Sequence, residues 1–258
     1  MLLRSDILTS ADGAPVAVER VDASGPVLIV CEHASRRLPD KAGTLGLSSE
    51  ALESHIAWDP GALAVARHMS GRLDASLIHQ RFSRLIYDCN RPPDSASAMP
   101  EMSEIYDIPG NRDLSVAERY ARTSALYVPF HDRIAAEIEA RAGRGQATVL
   151  VTVHSFTPVY MGKSRAVEIG ILHDDDSRLA DAMLTAGEGN SDYRLGRNDP
   201  YGPRDGVTHT LRLHALPRGL MNVMIEVRND LIANEADQQK AASYLSALLQ
   251  SALSEAAP

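Results

Sequence analysis

Three residues in this chain combine useful chemistry with a position from which it can act. His33 closely follows the apolar run Val27-Leu28-Ile29-Val30-Cys31. His154 ends Thr148-Val149-Leu150-Val151-Thr152-Val153, and Glu226 sits inside Asn222-Val223-Met224-Ile225-Glu226-Val227-Arg228. Apolar, β-branched runs of this length read as buried strands, and open α/β sheets carry functional groups at the carboxyl ends of their strands. Neutral imidazoles and carboxylates are the ligands of a hydrolytic metal centre that keeps one position open for water. Such a centre also needs a carboxylate outside the ligand set to take a proton from that water. Glu226 suits this role, because a carboxylate flanked by Ile225 and Val227 in a buried strand is costly unless compensated.

Each group also has a purely structural use. A histidine at a strand end can be satisfied by a backbone partner, and Glu226 can pair with Arg228, two residues on and on the same strand face. Asp59 and Glu32 are the candidates for a carboxylate ligand. Asp59-Pro60 is equally a helix start with Asp as the cap, and Glu32 points to the opposite side of an extended chain from His33. Arg91, after Asn90, suits bidentate recognition of a substrate carboxylate, with Arg84 and Arg81 nearby. His131 reads as packed or surface-exposed. His55, His68, His79, His173 and His214 read as structural, and Thr208 and His209 as possible pocket residues.

The elements that must position these groups alternate between strand and helix. Residues 1–25 read as cover for a sheet edge, and 76–79, 84–87 and 166–172 as further strands. Helices are expected from Ser48 through Ile56, from Asp59, over 114–142 with a bend near Pro129, over 177–187, and over 234–253, where Ala241, Leu245, Leu248, Leu249 and Ala252 form an apolar face. Residues 92–111 have little periodicity and could form a pocket wall or lid, and 188–206 read as loop. Alternating strands and helices predict one α/β domain over 1–258: a mixed, mostly parallel sheet with helices on both faces.

Composition narrows the partners. A net charge of -8 argues against nucleic acid and anionic membranes. No apolar stretch approaches the roughly 18 residues of a membrane span. MLLRSDILTS carries Arg4 and Asp6 where a signal peptide needs an apolar core. Cys31 and Cys89 are too few for a disulfide framework, so a reduced, cytoplasmic setting is expected. There is no G-x-S-x-G, Walker loop, G-x-G-x-x-G or H-E-x-x-H.

Five segments together resemble the N-formylglutamate amidohydrolase family: Cys31-Glu32-His33-Ala34-Ser35, His55-Ile56-Ala57-Trp58-Asp59-Pro60-Gly61, Ser83 to Arg91, His154-Ser155-Phe156-Thr157-Pro158 and Ile225 to Asp230. That family resembles in turn the zinc carboxypeptidases and aspartoacylase-like deacylases. The resemblance implies a zinc-carboxypeptidase-like (phosphorylase/hydrolase-like) fold and one zinc ion held by His33, His154 and a carboxylate. It further implies Glu226 as general base and an Asn90-Arg91 pair on the substrate carboxylate, with Arg84 as a second contact. The carboxypeptidase-type H-x-x-E pair is broken here, since Arg36 stands three residues past His33. The carboxylate ligand must then come from elsewhere, and Asp59, within the matching His55 to Gly61 segment, is preferred over Glu32 as the third ligand. The expected activity is zinc-dependent hydrolysis of an N-acyl, chiefly N-formyl, acidic amino acid such as N-formyl-L-glutamate. The alternatives are a deacylase or peptidase with another acyl group, and a small-molecule binding protein without turnover.

Overall fold

The computed structural model describes residues 7–189 and 192–255. Residues 1–6, part of the segment read against a signal peptide, and 190–191, within the 188–206 loop, lie outside the described residues. The central sheet has seven strands in the order β1 (Val16–Glu19), β3 (Ser76–Gln80), β2 (Val27–Cys31), β6 (Val149–Phe156), β11 (Asn222–Arg228), β9 (Ile169–Leu172) and β10 (Leu195–Arg197). β3, β2, β6 and β11 run parallel at its centre, β1 is antiparallel to β3, and β9 is antiparallel to β11 but parallel to β10. The expected mixed, mostly parallel α/β sheet is therefore present. From β2 the chain moves to β3 on one side, and from β6 it moves to β9, β10 and then β11 on the other. The β2/β6 boundary is the switch point at which such sheets open a crevice beyond their carboxyl ends.

Both faces are covered, which is why the central strands read as continuous apolar runs rather than alternating ones. Ile29, Val151, Val153, Ile225 and Val227 pack with α2 (Ala62–Leu73), α5 (Arg178–Ala186) and α6 (Glu235–Glu255). Leu28, Val30, Leu150 and Met224 face the other way, toward α1 (Ser49–Glu53), α4 (Val128–Gly143) and the buried 82–89 segment. Since side chains alternate along a strand, His154 and Glu226 share this second face with Leu150 and Met224. Cys31 and Cys89 are both free and buried. No helix among the described residues is long and apolar enough to cross a membrane.

Several element boundaries differ from expectation for local reasons. Residues 84–87 are not a strand, although Leu85, Ile86 and Tyr87 are buried. Ser83 organises a turn instead: its Oγ donates to the Ala57 carbonyl at 2.6 Å and accepts from the Leu85 amide at 3.1 Å. Helix α1 stops at Glu53, where the Ser54 hydroxyl takes up the Ala51 carbonyl. The expected 114–142 helix is α3 (Val116–Arg122) followed by α4, joined by a wide π turn at Thr123–Tyr127 just before Pro129. Proline supplies no amide hydrogen, and a π turn is one way for a helix to absorb that. Strand β9 begins three residues later than read, and β10 forms inside the segment expected to be loop. Residues 92–111 carry a small hairpin, β4 (Met102–Ser103) with β5 (Tyr106–Asp107), and a second hairpin, β7 (Val159–Tyr160) with β8 (Lys163–Ser164), follows β6.

Candidate active site

The switch-point crevice brings three of the expected groups to one point. His33 lies just past β2, His154 is near the end of β6, and the Asp59 amide donates to the His33 carbonyl at 2.9 Å, which fastens the 59–61 turn to the end of β2. Gly61 completes this turn with φ 80°, a left-handed conformation that glycine adopts without steric cost. A Cβ there would stand 2.6 Å from the Ile232 carbonyl oxygen. Gly61, not Asp59, is the cap of α2, so the Asp59 side chain is released from the capping role and turns inward. It accepts from the Ser155 amide at 3.3 Å.

The donor atoms form a tight triangle. His33 Nδ1 and His154 Nδ1 are 3.2 Å apart, and Asp59 Oδ2 lies 3.3 Å from the first and 2.9 Å from the second. Each ring meets a carboxylate on its far side. His33 Nε2 is 2.7 Å from Asp88 Oδ1, and His154 Nε2 is 3.0 Å from Glu32 Oε2, although off the line of a hydrogen bond. The Asp88 bond assigns the His33 ring proton to Nε2, and the Glu32 charge favours the same neutral tautomer of His154, in which both Nδ1 lone pairs and Asp59 Oδ2 are directed at each other. Three converging acceptors without a proton call for a cation, and the set suits a divalent metal of the zinc type. Glu32, the rival third ligand, stands behind the His154 ring and outside the triangle.

Glu226 adjoins this centre through sheet register. It pairs with His154 across β6–β11 and with Gly170 across β11–β9. A Cβ on Gly170 would fall 2.4 Å from the Asp199 carbonyl and 3.3 Å from Glu226 Cβ, so glycine permits the close approach of the 199 loop. Arg228 does not neutralise Glu226. It binds Asp230 at 2.8 Å and lies 3.6 Å from Glu168. Glu226 Oε2 is buried with no hydrogen-bond partner among the described residues. Its pKa is pushed up to about 7, chiefly by burial, with His154 pulling the other way and the Asp59 charge adding to the rise.

Glu32, Asp59, Asp88 and Glu226 are four buried carboxylates in one cluster. Arg84 serves two of them, at 3.3 Å from Asp59 Oδ1 and 3.0 Å from Asp88 Oδ2. Burial opposes ionisation of Asp59 and Asp88, yet His33 together with His154 or Arg84 holds both below the usual carboxylate range. Burial likewise disfavours a charged His154, but Glu32 and Asp59 push its pKa well above the ordinary value. The cluster draws positive charge to the triangle, as a metal site should.

His33, Asp59, Arg84, His154 and Glu226 line a cleft of about 490 Å³. Arg91 also lines it, with Nη1 donating to the Asn90 carbonyl at 2.8 Å and the Gly206 carbonyl at 3.0 Å. The Asn90 side chain is committed to protein partners, donating to the Val207 carbonyl and accepting from the Thr210 amide. Arg84 is committed likewise to Asp59 and Asp88. Ser103 and Glu104 of the β4–β5 hairpin form part of the wall, where Glu104 Oε1 lies 2.8 Å from His55 Nε2. His55, read from sequence as structural, is thus a cleft residue. Thr208 and His209 turn elsewhere, Thr208 to Asp174 and His209 to the Tyr127 hydroxyl. Sequence reading missed two groups. Asp88 carries a signal close to that of Glu226, an acid against an apolar buried run, here Leu85-Ile86-Tyr87. Arg165, in the cleft wall after the β7–β8 hairpin, carries none.

The family model for N-formylglutamate amidohydrolase matches residues 25–233. The chain belongs to this family. It is accordingly a hydrolase acting on a linear amide, and the matched span contains all of the residues above. A solved gene product of Agrobacterium tumefaciens is 65% identical, with a TM-score of 0.95 over 96% of this chain and 98% of that one. A solved N-formylglutamate amidohydrolase from Ralstonia eutropha is 21% identical, with a TM-score of 0.62 over 93% of this chain and 98% of that one, a likeness of fold. Comparison with curated proteins gives no match.

Proposed function

We propose that the chain is a zinc-dependent deacylase that hydrolyses the N-formyl amide of an acidic amino acid such as N-formyl-L-glutamate, releasing formate and the free amino acid. The observation that carries this reading is the triangle of His33 Nδ1, His154 Nδ1 and Asp59 Oδ2, with the unpartnered Oε2 of Glu226 on the neighbouring strand. His33, Asp59 and His154 would hold one divalent ion, and Asp88 and Glu32 would orient the two rings. When bound, such an ion lowers the pKa of water and polarises an amide carbonyl.

The remaining steps belong to the protein's own side chains. Glu226 accepts a proton from the attacking water and delivers it to the departing amide nitrogen. Its raised pKa suits both halves of that transfer near neutral pH. Arg91 binds a substrate carboxylate, so that binding energy fixes the amide relative to Glu226. Asn90 and Arg84, expected from sequence to contact substrate, bond to protein groups. Their roles here are to hold the 207–210 segment and the Asp59–Asp88 pair.

Purified protein should contain about one equivalent of zinc, and chelation should abolish hydrolysis of N-formyl-L-glutamate until zinc is restored. Full activity without metal would refute the mechanism. A panel of N-formyl, N-acetyl and N-succinyl amino acids identifies the acyl group, and a preference for the larger acyl groups would refute the deformylase assignment.

A further inference from the structure

Two guanidinium groups line the cleft without a carboxylate partner among the described residues: Arg91 and Arg165. Arg165 is held by contacts that leave its charge unneutralised. Its guanidinium carbon lies 4.6 Å from the Tyr160 ring centre, 4.7 Å from that of Tyr201 and 5.6 Å from that of Phe156. Ring faces attract the cation and fix the guanidinium, but they accept few of its five N–H donors. The Thr157 carbonyl takes one from Nη1 at 3.3 Å, and the Tyr201 hydroxyl is its other polar neighbour.

The placement ties Arg165 to the reacting centre. Phe156, whose ring contacts Arg165, stands two residues beyond His154 on the same face of β6, roughly 7 Å further along the strand. Its carbonyl accepts from Arg228 Nη1 at 3.3 Å, two residues past Glu226 in β11. Arg91 enters the cleft from a different segment, the turn after Asp88. The other cleft arginine, Arg84, is already neutralised by Asp59 and Asp88. Two unneutralised forks from separate elements therefore face one cavity, each able to hold a carboxylate in bidentate fashion.

We infer that Arg165 is the anchor for a second substrate carboxylate, so that Arg91 and Arg165 hold the two ends of a dicarboxylic amino acid and Arg165 sets the preference for an acidic side over its neutral amide. The inference rests on the deacylase reading for its substrate, but binding can test it separately. Calorimetry with glutarate and its half-amide, glutaramate, is the first measurement. Wild-type protein should bind glutarate at least tenfold more tightly. Arg165→Gln should weaken glutarate about tenfold and change glutaramate less than twofold, since the half-amide places its one carboxylate on Arg91. Arg165→Lys, which keeps the charge and the stem, should lose less of the discrimination than Arg165→Gln. Equal binding of the two ligands by wild type, or equal weakening of both by Arg165→Gln, would overturn the inference.

Kinetics then compare N-formylglutamate with its α-amide and its side-chain amide. Arg165→Gln should erase the kcat/KM preference against one of the two amides and keep it against the other. Loss of neither preference overturns the role of Arg165. Absence of any turnover by wild type refutes the deformylase reading instead and leaves the glutarate result to decide the anchor.

Discussion

Asp88→Asn isolates the support of the His33 ligand from the ligand itself. The Asp88 carboxylate is buried, and its Oδ1 meets two N–H groups, His33 Nε2 at 2.7 Å and the Asn90 amide at 2.9 Å. In the variant the amide oxygen must stay at this position, because two donors face it. The new NH2 then replaces Oδ2 and opposes Arg84 Nη2, which stands at 3.0 Å. One charge-assisted bond becomes a donor–donor clash and another becomes a neutral bond. A hydrogen bond to a charged group contributes about 1.5–3 kcal/mol, and a neutral one about 0.5–1.5. Arg84 is left with Asp59, its contact at 3.3 Å, and draws that carboxylate away from the triangle.

The net effect on metal affinity should be about 1.4–2.7 kcal/mol, or 10–100-fold, the range seen when the carboxylate behind a metal-bound histidine is removed. Competition for zinc against a chromogenic chelator at fixed pH measures it directly, with the thermal midpoint of the metal-free protein as a control for folding. Zinc affinity within twofold of wild type in a folded variant would refute the claim that Asp88 orients His33 for a metal.

Glu226→Gln should retain zinc and lose kcat by about 10²–10⁴, the usual contribution of a general base, and near-wild-type turnover would remove Glu226 from the mechanism. A pH effect on stability follows from the buried His131–His214 pair, whose nearest nitrogens are 2.9 Å apart. Burial, with help from His214, depresses His131 to about 3, and burial with Arg218 depresses His214 to about 4. Below the unfolded value of about 6.5 the unfolded chain binds protons that the folded chain does not. This contribution is therefore complete above that pH and is lost on acidification, at up to about 1.4 kcal/mol per pH unit for each ring. Denaturant melts between pH 6.5 and 5 should show a shallower slope for His214→Asn, and an unchanged slope would contradict the assignment.

The sequence by itself determined the strands that end near His33 and His154 and the one that contains Glu226. Runs such as Val149 to Val153 satisfy a sheet covered on both faces, and their buried ends leave few sites for polar groups except functional ones. The five segments that resemble the family also carried the enzyme class. Tertiary structure alone decided how the strands are ordered, and that order places His154 beside Glu226 and opens the crevice next to β2. It also decided the use of Asp59. Local sequence allows it to cap a helix, whereas in the fold Gly61 is the cap, at a position where Ile232, far along the chain, leaves no room for a Cβ. Arg165 shows the same limit most plainly. A charged residue after a polar hairpin looks like any surface arginine until Phe156, Tyr160 and Tyr201, brought together from two separate segments, are seen to hold it over the cleft. Strand identity is written in local pattern, whereas the partner of a charged side chain is set by chain segments distant in sequence.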